Sequence, residues 1–415
     1  MNKQTMTRVF RATALALAIA GLSACSTTQL VSSEAVKSVE SIFKTPAQEE
    51  PVKVYFAGVS FTGNYAHQQS NYPNVLKLAE NGALDRAFNE ELKKHEFKNV
   101  ILTTDLGKSI KAYDAVAMTL GINLETLTSQ YLPRSGSYKT VADVYAEILI
   151  FDFDTKKIIT SLPINMQYIT ITKNKLTKAQ ERQIFEGMIL GTNKEVPESL
   201  LQIAAKKIQS AKIKRDYGIR FKVQSVPLSK EEVSELEKFN ANPAQFELIT
   251  AQMMTRSLVD NLNVAVLPAT YGEAIGEKMT ARFADGMEFE LKVPDPDYLF
   301  KIDLQKFWTR ANRSKALVDV EAYFVFLKIM FEQPDLAKQI LDRNFRASSI
   351  ATIVKGQNSD KRVVYMETLF NFFEAFTKNI KDTETDWLKT VTHPKNVSST
   401  EDQLEEIYDI MKKGM

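Results

Sequence analysis

Cysteine occurs once in the 415 residues, at position 25, so the chain can form no internal disulfide and no cysteine-rich zinc site. Its stability has to come from packing. Histidine is nearly as scarce. His67, His95 and His393 stand far apart, none within a His-Glu-x-x-His arrangement, which reads as isolated imidazoles and not as a metal centre. No Gly-x-x-x-x-Gly-Lys-Ser/Thr run is present, so a P-loop nucleotide site is unsupported. In Gly58-Val59-Ser60-Phe61-Thr62-Gly63 the second glycine comes too late for a Gly-x-Ser-x-Gly elbow, and Ser60 reads as part of a strand that ends in a turn. An excess of one charge is missing too: the formal charge is +2 with 25% charged residues, which argues against nucleic acid as a partner. Beyond residue 24 no stretch approaches the length of an apolar membrane-spanning helix.

What the chain does have begins at its start. Lys3, Arg8 and Arg11 precede an apolar run over 14–22, and small residues follow it, the layout of a secretory signal. Leu22-Ser23-Ala24-Cys25 resembles the bacterial lipobox. That resemblance implies cleavage before Cys25, diacylation of its thiol and acylation of its new amine, and it makes Cys25 the lipid attachment site. Lipidation also removes the one thiol as a nucleophile. Ser26, not Asp, follows the cysteine, which by resemblance to the bacterial sorting pattern implies an outer-membrane protein; the expected location is the outer membrane, lipid-anchored and facing the periplasm, although the sequence itself does not show which face is occupied. Residues 1–24 are then the signal peptide, and their removal takes three cations and no acid, leaving a formal charge of −1. Residues 25–50 read as a lipidated flexible linker with a reach of roughly 25–30 Å.

From residue 52 the texture changes. Val-Lys-Val-Tyr-Phe-Ala-Gly-Val-Ser-Phe is apolar on both alternating faces, as a strand covered on both sides must be. Leu84, Ala87, Phe88 and Leu92 recur at helical spacing, then Val100-Ile101-Leu102 forms a short apolar run. A helical stretch is expected over 109–120, a hairpin over 141–172 about Asp154-Thr155-Lys156, and, after a polar insertion at 173–195, a helix over 196–211. A first α/β module thus spans 51–214.

The same order then recurs. Gly218-Ile219-Arg220-Phe221-Lys222-Val223 predicts a strand, and Asn242-Pro243-Ala244-Gln245 opens a helix carrying Phe246, Ile249 and Met253. Val264-Ala265-Val266-Leu267 predicts the next strand, 272–284 a helix, 298–308 and 316–331 a hairpin-like pair, and Met366 to Ile380 a closing helix, with an insertion at 341–362. Val54 to Asn99 and Ile219 to Val264 are both 45 residues apart, which suggests an internal repeat of one module, the second over 215–382. Leu84 to Leu102 and Phe246 to Leu267 resemble the small α/β modules of envelope proteins such as the TolB amino-terminal domain and curli-secretion lipoproteins. The segments 298–307 and 316–326 with the Phe-rich helix are similar to ABC-type transport auxiliary lipoproteins. Neither family carries a catalytic motif to transfer.

Residues 383–415 read as a polar tail with a terminal amphipathic helix, in which Thr400 and Gln403 suggest a capping box and Leu404, Ile407, Tyr408 and Met411 an apolar face. That helix either docks another surface or covers its own domain. Asp152 with Asp154, and Asp295 with Asp297, offer paired carboxylates, but neither pair has calcium-loop spacing and both flank strands, where Asp serves in turns. Lys206, Lys207, Lys212, Lys214 and Arg215 cluster at a helix end, where they complement its dipole or face anionic headgroups. The expected protein is of α/β class with mixed sheets, two tandem and duplicated modules on a lipid-anchored linker. Its expected function is non-enzymatic: an outer-membrane accessory or scaffold binding an envelope protein partner in a transport or assembly complex, with membrane lipid met through acylated Cys25. No cofactor or metal is expected. The alternative is a periplasmic ligand-binding protein or a hydrolase with a carboxylate site.

Overall fold

The computed structural model describes residues 51–62, 71–103, 116–132, 135–239, 241–269, 278–283, 288–312, 318–354 and 360–415. Cys25, the linker to residue 50 and His67 lie outside them. Lys44–Met415 form one compact unit.

The chain is an α/β protein with mixed sheets. It opens on β1 (Val52–Thr62), α1 (Val75–Leu78), α2 (Ala83–Leu92), β2 (Val100–Thr103), β3 (Val116–Leu132), β4 (Ser137–Asp152), β5 (Ile158–Thr172), α3 (Lys178–Leu190) and α4 (Leu200–Ser210). Then come β6 (Phe221–Ser225), α5 (Lys230–Glu237), α6 (Pro243–Leu262), β7 (Lys278–Phe283), β8 (Glu288–Lys292), β9 (Tyr298–Asn312), β10 (Val318–Gln333), β11 (Lys338–Val354), α7 (Lys361–Lys381), α8 (Thr385–Val391) and α9 (Val397–Lys412). Local chemistry sets several boundaries. Asn242 caps α6 by accepting the Gln245 amide at 3.1 Å, with Pro243 in the first turn. Thr177 with Gln180 and Ser199 with Gln202 form capping boxes at α3 and α4. Gly58, at φ 109°, stands where the register between β1 and β3 shifts, a backbone conformation that side chains resist.

The first sheet has the order β5-β4-β3-β1-β7-β8 with β2 beside β1, and the second the order β11-β10-β9-β6. The two share one path. In each, the first strand runs parallel to the first member of a three-stranded antiparallel meander, β1 to β3 and β6 to β9. Val266 bridges Phe221 in parallel, as β2 flanks β1. The β7–β8 hairpin, although it lies late in the sequence, extends the first sheet by pairing β7 with β1. β4 is buried on both faces: Ala142, Val144, Ala146, Ile148 and Ile150 join a core with Phe185, Met188, Leu200 and Ile208 of α3 and α4, while Tyr145 meets Ile249 of α6. On the second sheet Tyr323, Val325, Leu327, Ile329 and Phe331 point inward, and Phe373 and Phe376 of α7 are buried in the same core. Truncating a fully buried Phe such as Phe373 to Ala costs about 3–5 kcal/mol by the usual core measure.

Several expectations are corrected. Residues 116–120 begin β3 and not a helix; Val116, Met118, Leu120 and Ile122 enter the main core while Ala117 and Thr119 are buried too, and burial on both sides hides the two-residue period. Residues 278–283 are likewise strand, paired with β1 and β8. Residues 341–354, expected within an insertion, form most of β11, whose one apolar face (Leu341, Phe345, Ala347) is interrupted by polar outward residues. The last helix starts at Val397, not at Thr400. Thr400 is buried inside α9, where its hydroxyl donates to the Asn396 carbonyl at 2.7 Å in place of capping. Leu404, Ile407 and Met411 are buried, so α9 covers its own domain.

Candidate docking face

The carboxylates singled out in the sequence serve the fold. Asp152 Oδ1 accepts from the Thr155 amide at 2.8 Å and its hydroxyl at 2.7 Å, closing the β4–β5 turn; these bonds hold its carboxyl below the usual range. Asp154 is exposed at that turn. Asp297 Oδ2 accepts from the Arg220 amide at 2.8 Å and from its Nε at 3.3 Å, and Asp295 is exposed. Among the described residues no group of three or more His, Cys, Asp or Glu could hold a metal. Ser60 is buried beside Thr119, with 3.0 Å between hydroxyls. His95 Nε2 lies 3.0 Å from Glu91, and His393 Nδ1 accepts the Lys395 amide. The lysine cluster is largely engaged: Lys206 pairs with Glu198 at 2.5 Å, Lys207 with Asp260, and Lys214 Nζ donates to the Met415 carbonyl at 2.9 Å.

A polar group sits inside the first sheet. Asp143 on β4 accepts from Thr126 at 2.9 Å and Gln167 at 2.7 Å, with Arg362 of α7 at 3.7 Å. Glu147, two turns of the pleat away, accepts from Asn123 at 2.8 Å, and burial pushes its carboxyl up to about 7. These groups are enclosed, and their partners are strands and helices of the fold. A cleft of about 460 Å³ beside α9, lined by Lys338, Asp402, Glu405, Glu406, Asp409 and Lys413 among others, is crossed by the Lys338–Glu406 pair at 2.7 Å.

The second sheet presents a different surface. Because side chains alternate along a strand, the residues between the inward Tyr323, Val325 and Leu327 face outward, and register aligns them in rows. Phe326 stands between Lys306 and Arg346, Phe324 between Trp308 and Ser348, Ala322 between Arg310 and Ile350, and Val320 opposite Thr352. Ile350 is 75% exposed, Trp308 43% and Val320 37%, so this is a contiguous apolar surface and not a set of scattered residues. The Trp308 and Phe324 rings stack with centroids 5.0 Å apart, and the Arg346 guanidinium lies 5.9 Å from the Phe324 centroid. No acid stands in these rows. Towards the other end of the same face the cations are neutralised, Lys328 by Asp342 at 2.8 Å and Lys301 by Glu332 at 2.5 Å. Among the described residues no carboxylate pairs with Lys306, Arg310 or Arg346. Sequence reasoning missed this face. The alternation Val320, Ala322, Phe324, Phe326 is visible, but it lies beside an equally apolar inward set, so nothing local marks which side stays open.

No known family profile matches the chain, and no curated protein matches it. Among solved structures, a neuraminyllactose-binding hemagglutinin homolog from Helicobacter pylori is similar over 48% of this chain and 94% of its own, with 13% identity and a TM-score of 0.25. A minor lipoprotein from Acinetobacter baumannii is similar over 39% of this chain and 88% of its own, with 6% identity and a TM-score of 0.20. No helix among the described residues is long and apolar enough to cross a membrane.

Proposed function

We propose that the protein is a lipid-anchored accessory of the outer membrane, facing the periplasm, that works by docking and not by catalysis, and that the open face of the second sheet is its docking surface. The single observation that carries this reading is the stripe of exposed Trp308, Val320 and Ile350 about the half-buried Phe324, with cations on either side. A surface of that kind loses contact with water only against another body. The lipobox at 22–25 supports an acyl anchor on Cys25, and 25 residues of linker let the folded unit reach bodies in the same layer. Confinement to that layer raises effective concentration without adding a contact. The shared strand path of the two sheets supports reading 51–214 and 215–382 as duplicated modules merged into one compact unit. In this role the protein positions a component of an envelope transport or assembly complex.

The test is photo-crosslinking in intact cells. A photoreactive side chain at position 308 should yield an adduct with an envelope component, whereas one at Lys178, whose side chain is 90% exposed on another surface, should not. Equal labelling from both positions, or none from 308 in a chain that accumulates normally, contradicts the reading.

A further inference from the structure

We infer that the body this face meets is an anionic phospholipid surface, so that the folded unit lies on the membrane through its second sheet. This rests on the reading of the face as the docking surface. Three features select lipid over a compact anion or a protein partner. The first is shape. The rows lie side by side in one sheet and offer a plane, and among the described residues the groups that protrude from it are Ile350 and Trp308, an aliphatic side chain and the amphipathic ring suited to a headgroup boundary. The second is where the cations stand. Lys306 and Arg310, four residues apart on β9, are separated by about 13 Å along the strand, and Arg346 lies two strands away, about 9–10 Å across. They do not converge on one phosphate but spread as headgroups do. The stems of Lys306 and Arg310 can cover the ring rows while their charged ends reach outward to phosphate oxygens, and Arg346, whose Nη2 donates to the Thr390 carbonyl at 3.2 Å, keeps further N–H donors for the same use. The third is charge segregation: the acids of this face, Asp303, Asp342 and Glu332, begin only at the Lys328 row, where Asp342 and Glu332 each hold a lysine and Asp303 accepts from Gln305 at 3.2 Å, so the rows of Phe326, Phe324, Ala322 and Val320 carry cations and no acid. Those rows complement a negative surface, and each cation contributes roughly fivefold to partition onto such a surface.

The experiment uses residues 44–415, which hold the whole compact unit and lack Cys25, so no acyl chain can account for binding. The chain has two tryptophans, and Trp387→Phe leaves Trp308 as the sole indole reporter. Unilamellar vesicles of phosphatidylcholine with one third phosphatidylglycerol should shift Trp308 emission to shorter wavelength and carry the protein down on sedimentation. Vesicles of phosphatidylcholine alone should do neither, and added salt should release the protein. The triple variant Lys306→Gln, Arg310→Gln, Arg346→Gln should lower partition on the order of a hundredfold with unchanged circular dichroism. Ile350→Ser, which keeps every charge, should lower it at least severalfold. Absence of binding to anionic vesicles, or a triple variant that binds as wild type does, overturns the inference. If vesicles fail while position 308 still crosslinks to a protein in cells, the face is a docking surface for protein: the lipid inference falls and the functional reading stands.

Discussion

The Ser161 amide donates to the Val266 carbonyl at 2.8 Å, and that bond joins the edge of the first sheet to the segment flanking the second. Val266 is held from its other side as well, because the Phe221 amide donates to the Ala265 carbonyl at 3.1 Å and the Leu267 amide to the Phe221 carbonyl at 2.7 Å. With β7 paired to β1 and the Lys292 amide donating to the Lys156 carbonyl at 2.8 Å, three backbone seams among the described residues tie the halves together. A protease site inserted after Asp216 should therefore give two fragments that co-elute in native buffer and separate only in denaturant. Fragments that separate without denaturant would contradict the seams.

Glu147 predicts a pH dependence. Its carboxyl is raised to about 7 in the fold by burial, above its ordinary value of 4.5. The folded state therefore binds the proton more tightly than the unfolded one. Stability contributed through this group is highest at low pH, falls as pH rises from the ordinary value to about 7, and is constant above. The difference amounts to about 3 kcal/mol. Glu147→Gln, which can keep the Asn123 bond, should be more stable than wild type at pH 8 by up to that amount and nearly equal to it at pH 5, as read by denaturant unfolding. Equal stability at both values would rule out a strained carboxylate.

Arg362 and Asp143 make the opposite case, since each needs the other. Asp143 is buried and Arg362 largely so, and Arg362 also donates to Thr128 at 3.1 Å, fastening α7 to the first sheet. Arg362→Leu strands a buried acid and should cost about 3–5 kcal/mol. Adding Asp143→Asn should recover at least half of the loss, and a double variant no better than the single would show that the pair is not the source.

Cys25 lies outside the described residues, so its lipidation is tested in cells. Labelled palmitate should mark the wild-type chain and miss Cys25→Ala. Equal labelling of both would remove the anchor from the account.

What the sequence disclosed follows the range of the forces involved. The Asn242-Pro243 start of α6 and the β4–β5 hairpin about Asp154 were legible because caps and turns are decided within a few residues. β3 and β11 were not, for opposite reasons: β3 is buried on both faces and loses its alternation, while β11 is polar on one face and loses its apolar run. The role of Asp297 depends on Arg220, 77 residues away, and the docking face depends on which side α7 covers. Neither relation is local, and no spacing rule can find it.

The central claim, that an anchored chain works through the open sheet face, is tested most directly by rescue of a deletion strain. The wild-type gene is compared with a form that exports residues 26–415 unlipidated and with Trp308→Ala combined with Ile350→Ser in the full chain. The account predicts that both altered forms accumulate at normal levels and fold, and that neither restores the envelope phenotype of the deletion. Full rescue by the unlipidated form, or by the face variant, would contradict it.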